Sequence, residues 1–388
     1  MNKPKISIMI PVYNMRDVIG RAIESILSQD YDNKEILIMD GESNDGTIEV
    51  IEKYREHIDY FVSRKDKGPS DAMAHSIGQA HGEYITMLGA DDYYEEGALS
   101  AVAHTIVSEQ PDVAYGDCNF WYSNGRKIRK NAMNRGLENL YYYNALFSNA
   151  AYVKKDLLDS YYRNEWECSK GRVDINTDHL LWLLLYDSGK KFSYVKSENA
   201  ITNYSVSGRS TINEFKGCVE DIDIINDVIG SDEKKKEKYL PTFYRYLAAR
   251  TVMCYEDVLK IDELRDVIQK YLDIKKEYVI WGIGDMSDKV LRLLDICGKK
   301  PLYFVDNNYA VNSTGYNEYN VYSPKKLKDE DCLTVIISAL GSEKAISEQI
   351  KGINSAVEIQ TLVDIAFQIQ AELGIDVLKK ALISGSIR

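Results

Sequence analysis

The chain has 388 residues, 45% of them hydrophobic, which is enough for two or three domains with sizeable cores. Its formal net charge of −12 excludes general nucleic-acid binding, which needs a basic surface. The six cysteines lie far apart and indicate reduced thiols rather than zinc or disulfide spacings. No apolar run approaches the roughly 20 residues that cross a membrane. We therefore expect a cytoplasmic protein that is soluble or peripheral at the inner face of the membrane.

The first part of the chain alternates strand and helix patterns with short connections. Strands are predicted over residues 5–10, 35–39, 59–62 and 84–88, and helices over residues 18–27, 47–54 and 70–80. This alternation is typical of an α/β fold in which helices cover both faces of a mainly parallel sheet. In an open sheet of this kind, ligands bind outside the carboxyl ends of the strands.

Polar or glycine-rich loops follow all four predicted strands. They are residues 11–14, 40–47, 66–71 and 89–92. None is a glycine-rich phosphate-binding loop, and acids recur among them, so a nucleotide diphosphate would need a divalent cation at this edge. Asp91 and Asp92, directly after a buried strand, are the candidate ligands for Mg²⁺ or Mn²⁺. The preference of Asp and Gly for turns explains the composition of each loop separately. It does not explain why acidic residues follow several strands at the same edge of the sheet.

Four motifs in this region carry a resemblance to a known family. IPVYN, DGESNDGT, DKGPSDAM and GEYITMLGADD, in this order within residues 5–97, resemble the nucleotide-sugar domain of the family 2 inverting glycosyltransferases. The resemblance continues more weakly to about residue 211. It implies the GT-A fold, a bound Mn²⁺ or Mg²⁺ ion and a nucleotide-diphospho-sugar donor of the UDP class. It also implies a saccharide acceptor, free or lipid-linked, in surface polysaccharide or glycan biosynthesis.

The resemblance also implies roles for individual residues. Asp92 and Asp91 would bind the metal, and Asp178 would be the base that deprotonates the acceptor hydroxyl. The expected donor-binding residues are Pro11, Tyr13, Asp40, Lys67, Asp71, Asp91 and Arg209.

Three positions complicate this assignment. Gly41 stands where many members of the family have a second acid. Gly89 stands where Asn or Asp is more common. Asp178 begins an apolar helix, so helix capping is its alternative role. If Asp178 is not the base, Asp174 is the next candidate.

The middle of the chain is predicted to complete the acceptor side and then become helical. Residues 112–122 and 126–129 read as two strands around a turn at residues 123–125. The segment 212–272 is helical and charged, with lysines and aromatic residues mixed over 234–250. This mixture favours either a membrane interface or a connecting helix with a solvated lysine face.

The last segment reads as a second α/β unit. Strands are predicted over residues 278–281, 302–305 and 333–338, and a helix over 289–296. The turn Gly282-Ile283-Gly284 with Asp306 about 20 residues on fits a Rossmann-like nucleotide site, although Ser287 replaces the third glycine. Ligand binding, docking and homo-oligomerisation all stay open for this segment.

The expected organisation is a GT-A catalytic domain (1–212), a helical linker (213–274) and a Rossmann-like accessory domain (275–388). One alternative is a sugar-phosphate nucleotidyltransferase, which is disfavoured because the loop at 11–14 is neither glycine-rich nor basic. Another alternative is a non-catalytic nucleotide-sugar sensor or assembly scaffold. The intact pair of Asp91 and Asp92 argues against it.

Overall fold

The computed structural model describes residues 3–122, 125–132, 136–166, 173–206, 213–257, 259–273, 275–310, 315–331 and 333–374. The chain divides into two compact units, Met1–Gly230 and Ser231–Arg388. Each unit has its own sheets and helices.

The first unit contains two sheets. Its strands are β1 (Ile6–Val12), β2 (Lys34–Asp40), β3 (Tyr60–Ser63), β4 (Tyr84–Met87), β5 (Tyr93–Tyr94), β6 (Val113–Tyr115), β7 (Cys118–Trp121), β8 (Lys127–Lys130), β9 (Ala151–Lys154), β10 (Phe192–Tyr194) and β11 (Thr202–Ser205). The described strands are ordered β10-β6-β9-β4-β1-β2-β3 in the main sheet and β5-β11-β7-β8 in the second. Strands β1 to β4 are parallel, so their carboxyl ends share one edge. β9 runs antiparallel between β4 and β6.

Helices flank the main sheet. In the first unit they are α1 (Ile19–Leu27), α2 (Thr47–Glu52), α3 (Pro69–Ser76), α4 (Ala98–Glu109), α5 (Lys155–Tyr161), α6 (Thr177–Asp187) and α7 (Glu214–Ile229). A short 3₁₀ turn, Ser148–Ala150, immediately precedes β9. Strand β1 is buried on both faces, as expected for a parallel strand covered by helices on each side. The mainly parallel α/β architecture predicted from the sequence is confirmed.

The segment 112–122, predicted as one strand, is divided between two sheets. Its first half is β6 in the main sheet and its second half is β7 in the second sheet. The break falls at Gly116 and Asp117. A Cβ at Gly116 would lie 2.4 Å from Ile201 Cγ1, and the Asp117 carboxylate accepts hydrogen bonds from Arg129 Nε (2.9 Å) and the Tyr194 hydroxyl (2.8 Å). Close packing and this buried acid redirect the chain. The predicted strand 126–129 is confirmed as β8, which pairs antiparallel with β7.

The second unit is a separate α/β layer structure. Its strands are β12 (Glu277–Trp281), β13 (Tyr303–Val305), β14 (Val321–Tyr322), β15 (Leu333–Ile337) and β16 (Glu358–Thr361). Its helices are α8 (Glu233–Thr251), α9 (Ile261–Ile268), α10 (Asp285–Ile296), α11 (Glu343–Ile353) and α12 (Leu362–Leu373). The sheet order β14-β13-β12-β15-β16 is parallel throughout its described strands. This is the strand order 3-2-1-4-5 of a Rossmann-like sheet.

The helical region is shared between the two units instead of forming a separate segment. Helix α7 belongs to the first unit, where Glu220 accepts hydrogen bonds from the Ile175 and Asn176 amides at 2.8 and 2.9 Å. Helix α8 packs against α12 in the second unit. The division therefore falls at Gly230, 18 residues after the boundary expected at residue 212. Among the described helices, none combines the length and apolar character needed to cross a membrane.

Candidate active site

The loops after β1 and β2 are joined by hydrogen bonds. The Asn14 amide donates to Ser43 Oγ at 2.8 Å, and the Asn44 amide donates to Asn14 Oδ1 at 3.0 Å. The Met15 amide donates to Thr47 Oγ1 at 2.8 Å. Side chains of one loop thus satisfy backbone groups of the other, which gives this part of the sheet edge a defined shape.

Asp40 ends β2 and is 1% exposed. Its Oδ2 accepts hydrogen bonds from the Ser43 amide at 3.0 Å and from Ser63 Oγ, at the end of β3, at 2.6 Å. Its Oδ1 is buried without a hydrogen-bond partner among the described residues. A buried acceptor left unpaired costs free energy, so a ligand N–H group at this position would be stabilised.

The glycine beside Asp40 allows two side chains to approach. A Cβ at Gly41 would lie 3.3 Å from Asp66 Oδ2 and 3.3 Å from Tyr13 Cδ2. Tyr13 is 57% exposed, so its ring is open to a ligand. The third loop thereby brings a carboxylate, that of Asp66, to the position where Gly41 lacks one.

Asp91 and Asp92 form an acid pair at the end of β4. A Cβ at Gly89 would lie 2.7 Å from Asp92 Oδ2 and 3.2 Å from Asp91 Oδ1. Both carboxylates therefore converge on Gly89, which explains why a larger residue is absent there. Asp92 is 4% exposed and accepts hydrogen bonds from Asn149 Nδ2 and the Ser205 amide, each at 3.0 Å.

The electrostatics of the acid pair favour a positive partner. Burial, together with the negative charge of Asp91, raises the pKa of Asp92 to about 7. Burial also raises the pKa of Asp91. Within the described ranges no group of three or more His, Cys, Asp or Glu side chains is arranged around one metal position. Two carboxylates suit a cation that takes its remaining ligands from a substrate and water.

Asp178 lies in the first turn of α6. Asn176 occupies the N-cap position without a side-chain capping bond, so Asp178 is a first-turn acid and not the cap. Its Oδ2 accepts hydrogen bonds from Asn144 Nδ2 at 2.8 Å and from Ser148 Oγ. Side chains from outside the helix thus orient this carboxylate.

One short turn connects Asp178 to the acid pair. Ser148 and Asn149 are consecutive, and the first donates to Asp178 while the second donates to Asp92. The turn precedes β9, which is antiparallel to its neighbours, so the amino end of β9 lies at the edge where β4 ends. This arrangement brings Asp92 and Asp178 to the same site.

Helix α7 braces the start of α6. The ring of His179 is fully buried, with Nδ1 2.7 Å from Asp221 Oδ1 and Nε2 2.7 Å from the Leu140 carbonyl. Both ring nitrogens therefore lie within hydrogen-bond distance of an oxygen, one from α7 and one from the Leu140 backbone. On another side, Ser70 Oγ and Thr177 Oγ1 are 2.6 Å apart and join α3 to α6.

The other expected donor-binding residues have no hydrogen bond that links them to Asp40, Asp92 or Asp178 among the described contacts. Pro11 lies within β1 and pairs with Met39, and Lys67 is exposed in the loop before α3. The Asp71 carboxylate accepts a hydrogen bond from the Lys67 amide at 3.2 Å, so it bonds within its own loop. Arg209 lies outside the described residues.

Sequence reasoning missed several residues that build this site. They are Asp66, Asn144, Ser148, Asn149, His179, Ser205 and Asp221. Asp66 begins the motif DKGPSDAM and His179 directly follows Asp178, so both were open to detection. Asp221 lies within helix α7, and the others are short polar side chains in segments without periodicity. In neither setting does the sequence carry a signal of tertiary contact.

Comparisons with known proteins show which family and which fold this chain resembles. Residues 7–158 match Glycosyl transferase family 2. A Campylobacter jejuni GalNAc(5)-diNAcBac-PP-undecaprenol beta-1,3-glucosyltransferase is 33% identical over 119 residues, which are 30% of this chain and 38% of that protein. The Escherichia coli UDP-Glc:alpha-D-GlcNAc-diphosphoundecaprenol beta-1,3-glucosyltransferase WfaP is 34% identical over 113 residues, or 29% of this chain and 45% of that protein. The match thus spans less than half the length of each of these relatives.

The fold has a solved counterpart. The crystal structure of S. aureus TarS 1-349 in complex with UDP-GlcNAc superposes with a TM-score of 0.51 and 19% identity, covering 68% of this chain and 81% of that one. At this identity the likeness concerns the fold alone. Residues 7–158 of the first unit are thus similar to glycosyl transferase family 2, and the fold is that of the GT-A transferases.

Proposed function

We propose that the first unit transfers a sugar from a nucleotide-diphospho-sugar of the UDP class to a hydroxyl group of a saccharide acceptor, with inversion at the anomeric carbon. The observation that carries the proposal is the turn of Ser148 and Asn149, whose side chains bond Asp178 and Asp92. A donor-side acid and an acceptor-side acid thereby share one site. Two of the relatives, from Campylobacter jejuni and Escherichia coli, are named for undecaprenol-linked saccharides, which supports a lipid-linked acceptor in glycan biosynthesis.

The nucleoside half of the donor is assigned to the loops after β1, β2 and β3. The unpaired Oδ1 of Asp40 would accept the N3–H group of uracil, and the exposed ring of Tyr13 would cover the base. The UDP-Glc donor in the name of the E. coli relative WfaP, 34% identical over 113 residues, supports the UDP class. Lys67 and Arg209 are the proposed partners of the diphosphate, and Asp71 would shape the loop that carries Lys67.

Asp91 and Asp92 are the proposed ligands of Mg²⁺ or Mn²⁺. The pair fits such an ion because its two carboxylates converge and because burial disfavours their charge unless a cation offsets it. When bound, the ion would supply positive charge to stabilise the departing diphosphate. Asn149 and the Ser205 amide would hold the Asp92 carboxylate in position.

Asp178 is the proposed general base. It would take the proton of the acceptor hydroxyl as that oxygen forms a bond to the anomeric carbon and the bond from this carbon to the diphosphate breaks. Hydrogen bonds from Asn144 and Ser148 would aim the carboxylate at the acceptor. The donor sugar lies between the two acids in this arrangement, consistent with attack from the face opposite the leaving group.

Calorimetric titration of UDP, CDP and GDP, each with and without Mn²⁺, tests the donor half of the proposal. We expect UDP to bind tightest, Mn²⁺ to strengthen its binding, and Asp92→Ala to remove the effect of Mn²⁺. Asp40→Asn should weaken UDP binding by roughly 10- to 100-fold, because a charge-assisted hydrogen bond is worth about 1.5–3 kcal/mol. Asp32→Asn is the matched control, since Asp32 is exposed just before the amino end of β2, at the opposite end of that strand from Asp40. Unchanged Mn²⁺-dependent UDP affinity in Asp92→Ala would refute the metal assignment.

An accessory role is proposed for the second unit, residues 231–388. Every described residue assigned above lies in the first unit, which supports this division of labour. In the second unit Ser287 Oγ donates to the Gly282 carbonyl at 3.0 Å, so the serine at the third-glycine position holds the turn onto helix α10.

A further inference from the structure

Three aromatic rings of the first unit pack together on one face of the second sheet. Phe120 in β7 and Tyr204 in β11 have ring centroids 4.9 Å apart, and Phe147 packs edge-on to Phe120 at 5.5 Å. Phe147 is buried, whereas Phe120 and Tyr204 are half-buried. We call these three rings the aromatic platform.

The platform lies on the side of the sheet that faces the acid pair. Side chains alternate along a strand, so Cys118 and Phe120 share one face of β7. Asn149, which donates to Asp92, lies in a turn that packs against β11, and β11 pairs with β7. Tyr204 directly precedes Ser205, whose amide donates to Asp92 Oδ1. Tyr204 and its β7 partner Phe120 therefore lie one residue before the strand position that contacts Asp92.

The platform also adjoins the base. Phe147 directly precedes Ser148, the residue that donates a hydrogen bond to Asp178. The turn Ser148–Ala150 packs against β11, the strand that carries Tyr204. The platform is thus connected to Asp178 through Phe147 and its neighbour Ser148.

We propose that the Phe120 and Tyr204 rings stack against the pyranose ring of the acceptor sugar, with Phe147 supporting them from beneath. This inference rests on the proposed function and adds the residues that recognise the acceptor. A pyranose has apolar C–H faces, which pack on aromatic rings, while its hydroxyl groups remain available at the edge. Stacking fixes the plane of the acceptor, so that one hydroxyl points at Asp178. The Lys130 ammonium lies over the Phe120 ring, 5.5 Å from its centroid, so this flexible side chain would turn aside when a sugar stacks on that face.

Saturation-transfer NMR tests the platform without requiring catalysis. The probes are the methyl glycosides of glucose, galactose, N-acetylglucosamine and N-acetylgalactosamine, each added to the full chain in the presence of UDP. We expect saturation transfer to the ring protons of at least one probe. Phe120→Leu and Tyr204→Leu should each weaken its binding by about tenfold, and Tyr204→Phe, which keeps the ring, should bind like the parent.

Phe192→Leu is the matched control. Phe192 is also half-buried and packs edge-on to two rings, Tyr115 and Tyr186, but it lies in β10 at the far edge of the main sheet. This variant should bind the probe as the parent does. The inference would be overturned if the parent and both platform variants bound the probe equally. It would also be overturned if the parent showed no saturation transfer to any probe.

Two further readouts separate the platform from the proposed function. Weaker binding of UDP-glucose or UDP-N-acetylglucosamine in the platform variants, measured by calorimetry, would assign the rings to the donor and overturn the inference. Release of UDP from these donors reports the proposed reaction. A parent that binds a methyl glycoside on the platform but releases no UDP would contradict the transferase and leave the platform standing.

Discussion

The hydrogen bonds of Asp178 determine what this carboxylate can still do. Asn144 and Ser148 both donate to Oδ2, and the His179 amide donates to Oδ1 at 2.9 Å. A carboxylate has about four acceptor positions. The donors among the described residues therefore leave one position, on Oδ1, which is available for the proton of a hydroxyl group.

Asp178→Asn tests this remaining position. The asparagine oxygen can still accept from Asn144 and Ser148, but the amide cannot take a proton. We expect turnover to fall by roughly 10²- to 10⁴-fold with donor affinity unchanged. The measurement is UDP release with donor and acceptor, paired with UDP calorimetry.

Asp174→Asn is the control for this variant. Asp174 is half-exposed and forms an ion pair with Lys216 at 2.6 Å. We expect turnover within about twofold of the parent, because a surface ion pair contributes little. Parental turnover in Asp178→Asn together with a large loss in Asp174→Asn would move the base to Asp174.

At the scale of elements, α7 holds α6 through the buried pair of Asp221 and His179. Replacing Asp221 with asparagine keeps an oxygen near Nδ1 but removes the buried carboxylate that pairs with His179. Breaking a buried pair in this way costs about 3–5 kcal/mol. We expect scanning calorimetry to show the transition of the first unit about 6–20 °C lower in Asp221→Asn.

Asp223→Asn is the matched control on the same helix. Asp223 is exposed, two residues from Asp221, and its replacement should move the transition by no more than about 2 °C. Similar transitions in all three proteins would show that the pair does not hold α6.

Glu35, buried in β2, links the start of the main sheet to the turn before β4. It accepts hydrogen bonds from Ser7 Oγ at 2.5 Å and the Gly82 amide at 3.0 Å, and its Oε2 lies 2.6 Å from Lys5 Nζ. Burial alone would raise its pKa, but the bonds from Lys5, Ser7 and the His81 amide outweigh burial and lower it below the ordinary 4.5. The folded chain therefore binds this proton less tightly than the unfolded chain.

The sign of the pH dependence follows from this lowered pKa. The stabilisation is complete above the unfolded value and is lost as the pH falls through the folded value. Glu35→Gln should cost about 2 kcal/mol at pH 7, and its difference from the parent should shrink as the pH falls below about 4. Thermal midpoints from pH 7 to pH 3 measure this difference. Glu52→Gln, at an exposed position of α2, is the control, and a cost for Glu35→Gln that stays constant with pH would contradict the argument.

The predictable part of the fold is the part with regular periodicity. Strands β1 to β4 and helices α1 to α3 follow apolar repeats, so their positions and the acids at their ends were predicted from the sequence. Strand β9 is short and antiparallel to β4. The residues that β9 brings to the site therefore come just before the strand, whereas those of a parallel strand come just after it. Asn149 was therefore missed, because its role depends on a tertiary pairing that no local pattern encodes.

At the scale of the whole molecule, the boundary at Gly230 predicts where the chain can be shortened. A chain of residues 1–230 keeps both sheets of the first unit and helix α7. We expect it to be monodisperse in size-exclusion chromatography and to release UDP from a donor at a rate within about tenfold of the full chain. Complete loss of UDP release from a folded 1–230 chain would show that the second unit takes part in the reaction.

A chain ending at Leu272 is the informative contrast. It keeps α8 and α9 but lacks the sheet β12–β16 and helix α12, against which α8 packs. The buried side chains of α8, among them Phe243 and Leu247, would then be exposed. We expect this longer chain to aggregate more than the shorter one, because it exposes a contiguous apolar surface.

The hydrogen bonds that close the site join distant parts of the chain. The Ser205 amide and Asp92 are 113 residues apart, and Ser70 and Thr177 are 107 residues apart. Contacts between residues so far apart in sequence form late in folding. Closing the long intervening chain costs conformational entropy before the contacts contribute any stabilisation. Donor turnover would consequently return after most of the helical circular dichroism signal during refolding. Recovery of activity would then report the completion of the first unit. Under the proposed function, a nascent chain would consume no nucleotide-sugar until β11 has been synthesised.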